Sequence, residues 1–361
     1  MRILFADLDR EWRGGQSQSL LTVRGLRAIG HDAQLLSVRD SPLSRRAQDA
    51  GVPVHNVGRR ARRVAAALLL RKLLSQQNYD VFHANEPHAL TAAWLSGRQV
   101  NVPVVVSRRV AYPLPQRWLA RKRYQTVQRI VAISHFVAKS VLDSGIPAEK
   151  LEIVYEGVEV PPSVTEEARL RARQRWGVSA TEKLLGCVGY LLPEKGQEFA
   201  LNALKAVRGK FPEARLLLAG DGACRPKLQS LAREQGLQGA VIFAGFVQDV
   251  SQVYAALDAF VFPSLAEPLG TSLLAAMAWG LPVLAVASGG VPEYVKDGVT
   301  GLLVTRPDPE LLSASMLRLL GDNSLRMKLG QEARHEIESR FTAGRMVVDT
   351  IRVYESILAN R

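Results

Sequence analysis

Cysteine is nearly absent from this chain. Its 361 residues include two, Cys187 and Cys224, in neither a metal-like nor a redox-like spacing. That excludes a disulfide-stapled secreted scaffold and fits a reducing compartment. Long apolar runs are missing too. The longest helical one, VAAALLL at 64–70, falls far short of the roughly 20 residues a membrane span needs. The opening MRILFADLDR carries too short a run for a signal peptide. The expectation is a cytoplasmic protein. Histidine is sparse, with six in all. His83 and His88 have no third ligand at convincing spacing, so no metal is expected. The acidic pair in DLD (7–9) follows the first strand directly and is read as coincidental.

Charge is present but uneven. The net charge is +13. Residues 1–165 carry 24 Lys and Arg against 13 Asp and Glu, and residues 166–361 carry 23 against 21. A basic first half suits an anionic substrate, an anionic membrane surface or nucleic acid, or is simply solvated. No nucleic-acid recognition motif accompanies it, so nucleic acid is not expected as a partner.

Short apolar runs alternate with helical patterns along the whole chain. Strands are predicted at 2–6, 33–38, 79–84, 103–107, 129–134 and 151–157, then at 183–189, 214–220, 240–245, 258–263, 281–287 and 300–304. Such alternation predicts α/β domains whose parallel sheets are covered on both faces. The pattern restarts near residue 183, after PPSV (161–164) and a charged helical stretch. Two domains follow, 1–162 and 163–340, and residues 325–361 read as helical with no further strand.

Open parallel sheets bind ligands in the loops after their strands. The loop after 258–263 reads SLAEPLGTSLLAAMAWG, with Glu267 as the only charge between Asp258 and Glu293. Pro268 is predicted to begin the helix, and Gly270, Thr271 and Ser272 offer unobstructed N–H groups to an anion. Glu267 either favours the helix dipole or accepts hydrogen bonds from sugar hydroxyls. The next loop, ASGGVPE, holds Gly289 and Gly290. After 183–189 comes GYLLPEKGQE, where Lys195 stands at the strand–helix turn, placed for a phosphate. Phe246, after 240–245, either flanks a nucleobase or is a partly exposed packing residue. In the first half, Gly14 and Gly15 open a helix, but the third spaced glycine of a dinucleotide fingerprint is missing. His83, Glu86 and His88 lie around the end of strand 79–84. Arg108 and Arg109 follow 103–107.

The motifs GYLLPEKGQ, ARLLLAGDG, VIFAGFVQDV, AALDAFVFPSLAEPLGTSLLAAMAWGLPVLAVASGGVPE and DGVTGLLV occur in an order and spacing that closely resemble the family-4 glycosyltransferases. The wording EPLGTSLL with VSRRV upstream resembles bacterial members that build cell-surface glycans and lipopolysaccharide. The resemblance implies the GT-B fold, with two Rossmann-like doubly wound domains facing across a cleft and a tail, 341–361, crossing back to the first. It implies a retaining, metal-independent transfer from a nucleoside-diphosphate sugar, with no cofactor. Lys195 would hold the donor diphosphate and Glu267 the donor sugar. Leu269, Gly270, Thr271 and Ser272, with Gly289 and Gly290, would line the donor site, and Gly14 and Gly15 would close over the diphosphate. His83, Glu86, Arg108 and Arg109 fall on the acceptor side, facing a glycan or lipid-linked acceptor. The stretches 59–74 and 117–124 mix cations with apolar residues: either they suit a peripheral position on the inner face of the cytoplasmic membrane, or their apolar faces pack inward and their arginines are solvated.

Three positions depart from the family pattern. Ala275 stands where a ribose-binding glutamate is frequent, Tyr190 where an arginine is frequent, and Ala111 where related RRVDFP sequences carry aspartate. Each lost charge-assisted hydrogen bond weakens binding by about 1.5–3 kcal/mol. They support one alternative, a degenerate protein that binds nucleotide sugars without transfer. A sugar-nucleotide epimerase of the same fold is a second, resting on His83, Glu86 and His88 as acid and base. The glycosyltransferase reading requires the Lys195 ammonium to meet the Glu267 carboxylate.

Overall fold

The structure is a computed structural model that describes residues 1–76, 78–97, 102–114 and 118–359. It divides into two compact units, Met1–Gly157 with Thr342–Arg361, and Val158–Phe341.

The first unit is a seven-stranded sheet in the order β3-β2-β1-β4-β5-β6-β7. Its strands are β1 (Arg2–Asp7), β2 (Asp32–Val38), β3 (Val54–Val57), β4 (Val81–Ala84), β5 (Val104–Arg108), β6 (Arg129–Ala132) and β7 (Leu151–Ile153). Every pairing is parallel. The connecting helices are α1 (Gly14–Ala28), α2 (Pro42–Asp49), α3 (Arg62–Gln76), α4 (Pro87–Ser96), α5 (Trp118–Gln125) and α6 (His135–Leu142). One face of the sheet buries Leu4, Phe82 and Val106 under α3 and α4, and the other buries Ile3, Phe5 and Val105 under α1. Both faces are covered, so the strands read as continuous apolar runs.

The second unit holds a six-stranded parallel sheet in the order β10-β9-β8-β11-β12-β13. The helix α7 (Glu166–Arg175) precedes β8 (Lys183–Val188), and then come α8 (Gln197–Arg208), β9 (Ala214–Ala219), α9 (Arg225–Glu234) and β10 (Val241–Gly245). The elements α10 (Ser251–Ala256), β11 (Ala259–Phe262), α11 (Thr271–Ala278), β12 (Val283–Val286) and β13 (Leu302–Val304) follow, then α12 (Pro309–Gly321) and α13 (Asn323–Arg340). The charged stretch before β8 is tied to the sheet. Asp258 accepts from Arg169 Nη2 at 2.7 Å, Arg173 Nη1 at 3.1 Å and Leu184 N at 2.7 Å. Arg173 is thereby buried as a paired cation.

Two details differ from the sequence reading. The strand β3, VHNV, was not anticipated because His55 and Asn56 interrupt its apolar pattern. It forms by pairing with β2 at the sheet edge, and His55 Nε2 lies 2.8 Å from Gln34 Oε1. The helical tail is two helices, since Phe341 ends α13 and Thr342 caps α14 (Ala343–Leu358), accepting from Arg345 N. The side chains of Val347 and Tyr354 on α14 join the first unit's core beside Val23 and Leu26.

Candidate active site

In each sheet the strand order reverses direction once, at β1/β4 and at β8/β11. Connections leave to opposite sides there and open a crevice at the carboxyl ends of the strands. The loop after β8 and the loop after β11 are therefore neighbours, although they lie far apart in the chain.

Their contact is built from backbone. Gly196 sits at φ +65°, and an added Cβ would lie 2.1 Å from Pro263 O, so only glycine allows the turn after Lys195 to press on the end of β11. Leu265 N donates to Glu194 O at 2.8 Å. Lys195 Nζ then reaches Glu267 Oε2 at 2.7 Å. Ser264 Oγ donates to the same oxygen at 3.0 Å, and Ser288 Oγ holds Ser264 O at 2.7 Å. Neither serine was singled out from sequence; only their placement between the two loops identifies them. Glu267 is buried, while the Lys195 side chain is 28% exposed, so the pair presents its cationic side to solvent. Gly290 N donates to Glu267 O at 2.9 Å, which brings the ASGG loop under the same residue.

Pro268 does not begin the helix, contrary to expectation. The helix α11 starts at Thr271, with Gly270 at φ +100° as its N-cap. An added Cβ on Gly270 would meet Phe262 Cζ and Tyr294 Oη at 3.1 Å, so the chain first makes a tight turn over these rings. Tyr294 fastens that turn by donating to Leu269 O. Leu273 N and Leu274 N both bond to Gly270 O, each at 3.0 Å. The N–H groups of Thr271 and Ser272 form the first turn, which has no intrahelical partner for them. Phe246 is 64% exposed and follows β10, two strands from β8, outside the bonded cluster.

The first unit has its own cluster at the β1/β4 crevice. Gly14 and Gly15 open α1. Asp7, fully buried at the end of β1, accepts from Ser19 Oγ at 2.7 Å, Asn85 Nδ2 at 2.8 Å, Gln16 Nε2 at 3.2 Å and Asp9 N at 3.1 Å. Arg109 lies beside Gly15 and is held by Asn85 and Glu156. Asn85 and Glu156 were missed in sequence, where each reads as an ordinary loop residue, and Asp7 was set aside there as part of a coincidental acidic pair.

Three of the acceptor-side residues are held by internal bonds. His83 lies within β4 and is buried, with Nδ1 2.6 Å from the Tyr354 hydroxyl and Nε2 2.8 Å from Ser107 Oγ. Both nitrogens are engaged within the fold. Glu86 caps α4, accepting from Leu8 N at 3.1 Å, Ala89 N at 2.7 Å and His88 N. Burial, then the charge of Asp7, push its carboxyl up to about 8, against those three N–H donors. Arg108 is buried, donates to Tyr112 O and lies 4.8 Å over the Tyr112 ring. Of the four acceptor-side residues, Arg109 is half-held at the crevice with donors to spare, and Arg108 keeps a buried Nε that has no partner among the described residues.

Burial, assisted by the Arg109 charge, lowers the His83 pKa to about 3. The unfolded chain takes up this proton near 6.5, so the stabilisation is complete above that pH and is lost as pH falls toward 3. Between pH 7 and pH 5 the loss is about 2 kcal/mol. Urea unfolding of wild type and His83→Gln at both pH values should show the gap between them shrinking by that amount. A gap independent of pH would contradict a buried neutral imidazole.

Among the described residues no group of three or more His, Cys, Asp or Glu converges as a metal site. No helix there is long and apolar enough to cross a membrane.

A family model described as Glycosyltransferase Family 4 matches residues 12–160, and one described as Glycosyl transferases group 1 matches residues 168–336. A glycosyltransferase of Methanocaldococcus jannaschii is 28% identical over 238 residues, 64% of this chain; the chain spans 60% of that relative's length. A GDP-mannose-dependent alpha-(1-6)-phosphatidylinositol monomannoside mannosyltransferase of Mycolicibacterium smegmatis is 26% identical over 348 residues, 90% of this chain and 83% of its own. Anabaena HepE, crystallised with UDP and glucose, matches with a TM-score of 0.88 over 99% of this chain and 100% of that one, at 22% identity.

Proposed function

The chain belongs to the GT-B glycosyltransferases, with a family-4 first half and a group-1 second half, and from that premise we propose that it moves a sugar from a nucleoside-diphosphate sugar to a cell-surface glycan or lipid-linked precursor, with retention and without a metal. The observation that carries this reading is the Lys195–Glu267 contact of 2.7 Å beside the start of α11. It sets a cation for a diphosphate and an acceptor for sugar hydroxyls at one place.

In the proposed step the bond from the anomeric carbon to the diphosphate oxygen breaks as the acceptor oxygen bonds to that carbon. The transition state has oxocarbenium character. Charge grows on the leaving phosphate, where Lys195 and the N–H groups of Thr271 and Ser272 stabilise it. The same phosphate takes the acceptor's proton on that face, so Glu267 positions the sugar and does not attack it.

Ala275, Tyr190 and Ala111 are what favours a non-catalytic binder; donor hydrolysis without acceptor would distinguish it from an enzyme. The epimerase alternative needs free acids and bases, and the bonded His83 and capping Glu86 leave it only His88. A screen of UDP-, GDP- and ADP-sugars for thermal stabilisation tests the main reading. A ligand at a hundred times its Kd adds about 2.7 kcal/mol. No rise in Tm with any of them would refute it.

The lipid-linked acceptor draws support from the mycobacterial relative, whose name specifies a phosphatidylinositol mannoside. On α3, Val64 and Leu68 are 55% and 66% exposed while Ala66, Leu70 and Leu73 are buried. On α5, Trp118 is 67% exposed; Arg117 lies outside the described residues. Exposed apolar side chains among arginines suit an anionic leaflet on the cytoplasmic side. Glutamine at Arg59, Arg60, Arg62 and Arg63 should abolish binding to phosphatidylglycerol vesicles, and undiminished binding would discard the membrane contact.

A further inference from the structure

Outside the donor loops, the polar group that joins Asp7 to Arg109 in the crevice of the first unit is Asn85. It is buried, and its own N–H donates to Ala6 O at 2.8 Å, which fixes its backbone against β1. Its Nδ2 donates to Asp7 Oδ2 at 2.8 Å and to Gly15 O at 3.3 Å. Its Oδ1 accepts from Arg109 Nε at 3.1 Å and from Nη2 at 2.8 Å. The amide has no freedom to flip. A guanidinium only donates, so the oxygen must face Arg109 and the NH2 must face Asp7.

Arg109 has five N–H donors in a rigid plane. Asn85 takes two and Glu156 takes one from Nη1. Among the described residues one N–H on Nη1 and one on Nη2 stay unengaged. The side chain is 17% exposed, and its Cδ would lie 3.5 Å from a Cβ on Gly15. A merely structural ion pair would be satisfied by Glu156; the two-point grip of Asn85 additionally fixes the plane of the guanidinium.

We propose that Asn85, oriented by Asp7, is the positioning residue that aims the Arg109 guanidinium at a phosphoryl group beside Gly15. Paired N–H groups on a fixed guanidinium match two phosphoryl oxygens. The need for such a group rests on the glycosyltransferase reading, which supplies two sources: the donor diphosphate and a phosphate on the acceptor.

The test uses the full chain and follows the Nε–H resonance of Arg109, identified by its loss in Arg109→Lys. Inorganic phosphate, UDP and glycerol 3-phosphate are titrated separately. A shift with UDP assigns the site to the donor, and a shift with glycerol 3-phosphate assigns it to the acceptor; phosphate alone shifting it supports the site in its simplest form. Asn85→Ala should weaken that binding about tenfold, the loss of one hydrogen bond to a charged group. Asn85→Asp separates aiming from folding. Protonated, it donates to Asp7 and accepts from Arg109 as asparagine does; ionised, it repels Asp7. The groups facing it are Asp7, Arg109 and, one step further, Glu86 and Glu156. Two carboxylates in one site raise the pKa of one of them, so this variant should bind near wild-type strength at pH 5.5 and lose affinity as pH rises, measured against wild type at each pH. An Arg109 signal unmoved by all three anions overturns the site. Wild-type affinity in Asn85→Ala, or no pH dependence relative to wild type in Asn85→Asp, overturns the relay. Should no sugar nucleotide stabilise the protein while glycerol 3-phosphate still shifts Arg109, the glycosyltransferase reading fails and this site stands.

Discussion

Replacing Lys195 with methionine should lower kcat by about a hundred- to a thousandfold, the usual consequence of removing one group that stabilises developing negative charge. The ammonium lies 2.7 Å from Glu267 and is the cation of the loop cluster that the proposed step places against the leaving diphosphate. Methionine keeps the length of the side chain and removes the charge. The carboxylate would retain its bond from Ser264 Oγ at 3.0 Å, so the fold should survive. Glu267→Gln should also depress turnover strongly, because it removes the charge that holds Lys195 and that the proposed step uses to position the sugar. Steady-state rates with whichever donor stabilises the protein, together with Tm, check both variants. A loss confined to KM in Lys195→Met would mean that the lysine binds substrate and transition state alike. Turnover equal to wild type in Glu267→Gln would remove its assigned role.

Gly289→Ala should produce the largest stability loss of any single methyl group at the site, about 3 kcal/mol or more. The residue sits at φ +57°, and the new Cβ would lie 1.9 Å from Glu267 O and 2.8 Å from its carbonyl carbon. Strain and collision act together, and the group that must give way is the backbone of Glu267. Activity should fall as well, since displacing a positioned group by about 1 Å is worth about a hundredfold. Gly298→Ala separates the two effects. It has φ +70° but nothing within 4 Å of the added Cβ. Its loss should be about 1 kcal/mol, the penalty of the backbone conformation alone. Equal Tm shifts in the two variants would show that the contact with Glu267 does not constrain the loop.

The loops of the candidate donor site were legible because glycine, proline and a lone carboxylate stand out against apolar strands. GYLLPEKGQ and AEPLGTS each announce a strand–helix turn. What they did not announce was where the helix starts. Pro268 suits a first helical position, yet Gly270 in the left-handed region interposes a turn over Phe262 and Tyr294. The polar residues of the first half were harder. His83, Glu86 and Arg108 look in sequence like a set of exposed strand-end groups. The structure turns the first into a bonded core histidine, the second into a helix cap and the third into a buried partner of Tyr112. Asp7 showed in sequence only as half of a coincidental acidic pair and Asn85 carried no signal, because their significance is a set of partners up to 78 residues away.

The chain's local pattern alone determined the α/β class, twelve of the thirteen strands among the described residues, and the loops to which the proposed function assigns the anion. Apolar periodicity and turn residues are properties of a short window, so a short window reveals them. The tertiary structure decided which loops meet. Lys195 and Glu267 are 72 residues apart and touch because β8 lies beside β11 in the sheet. Strand order follows from how whole strands and their covering helices pack, and no local stretch of sequence encodes it.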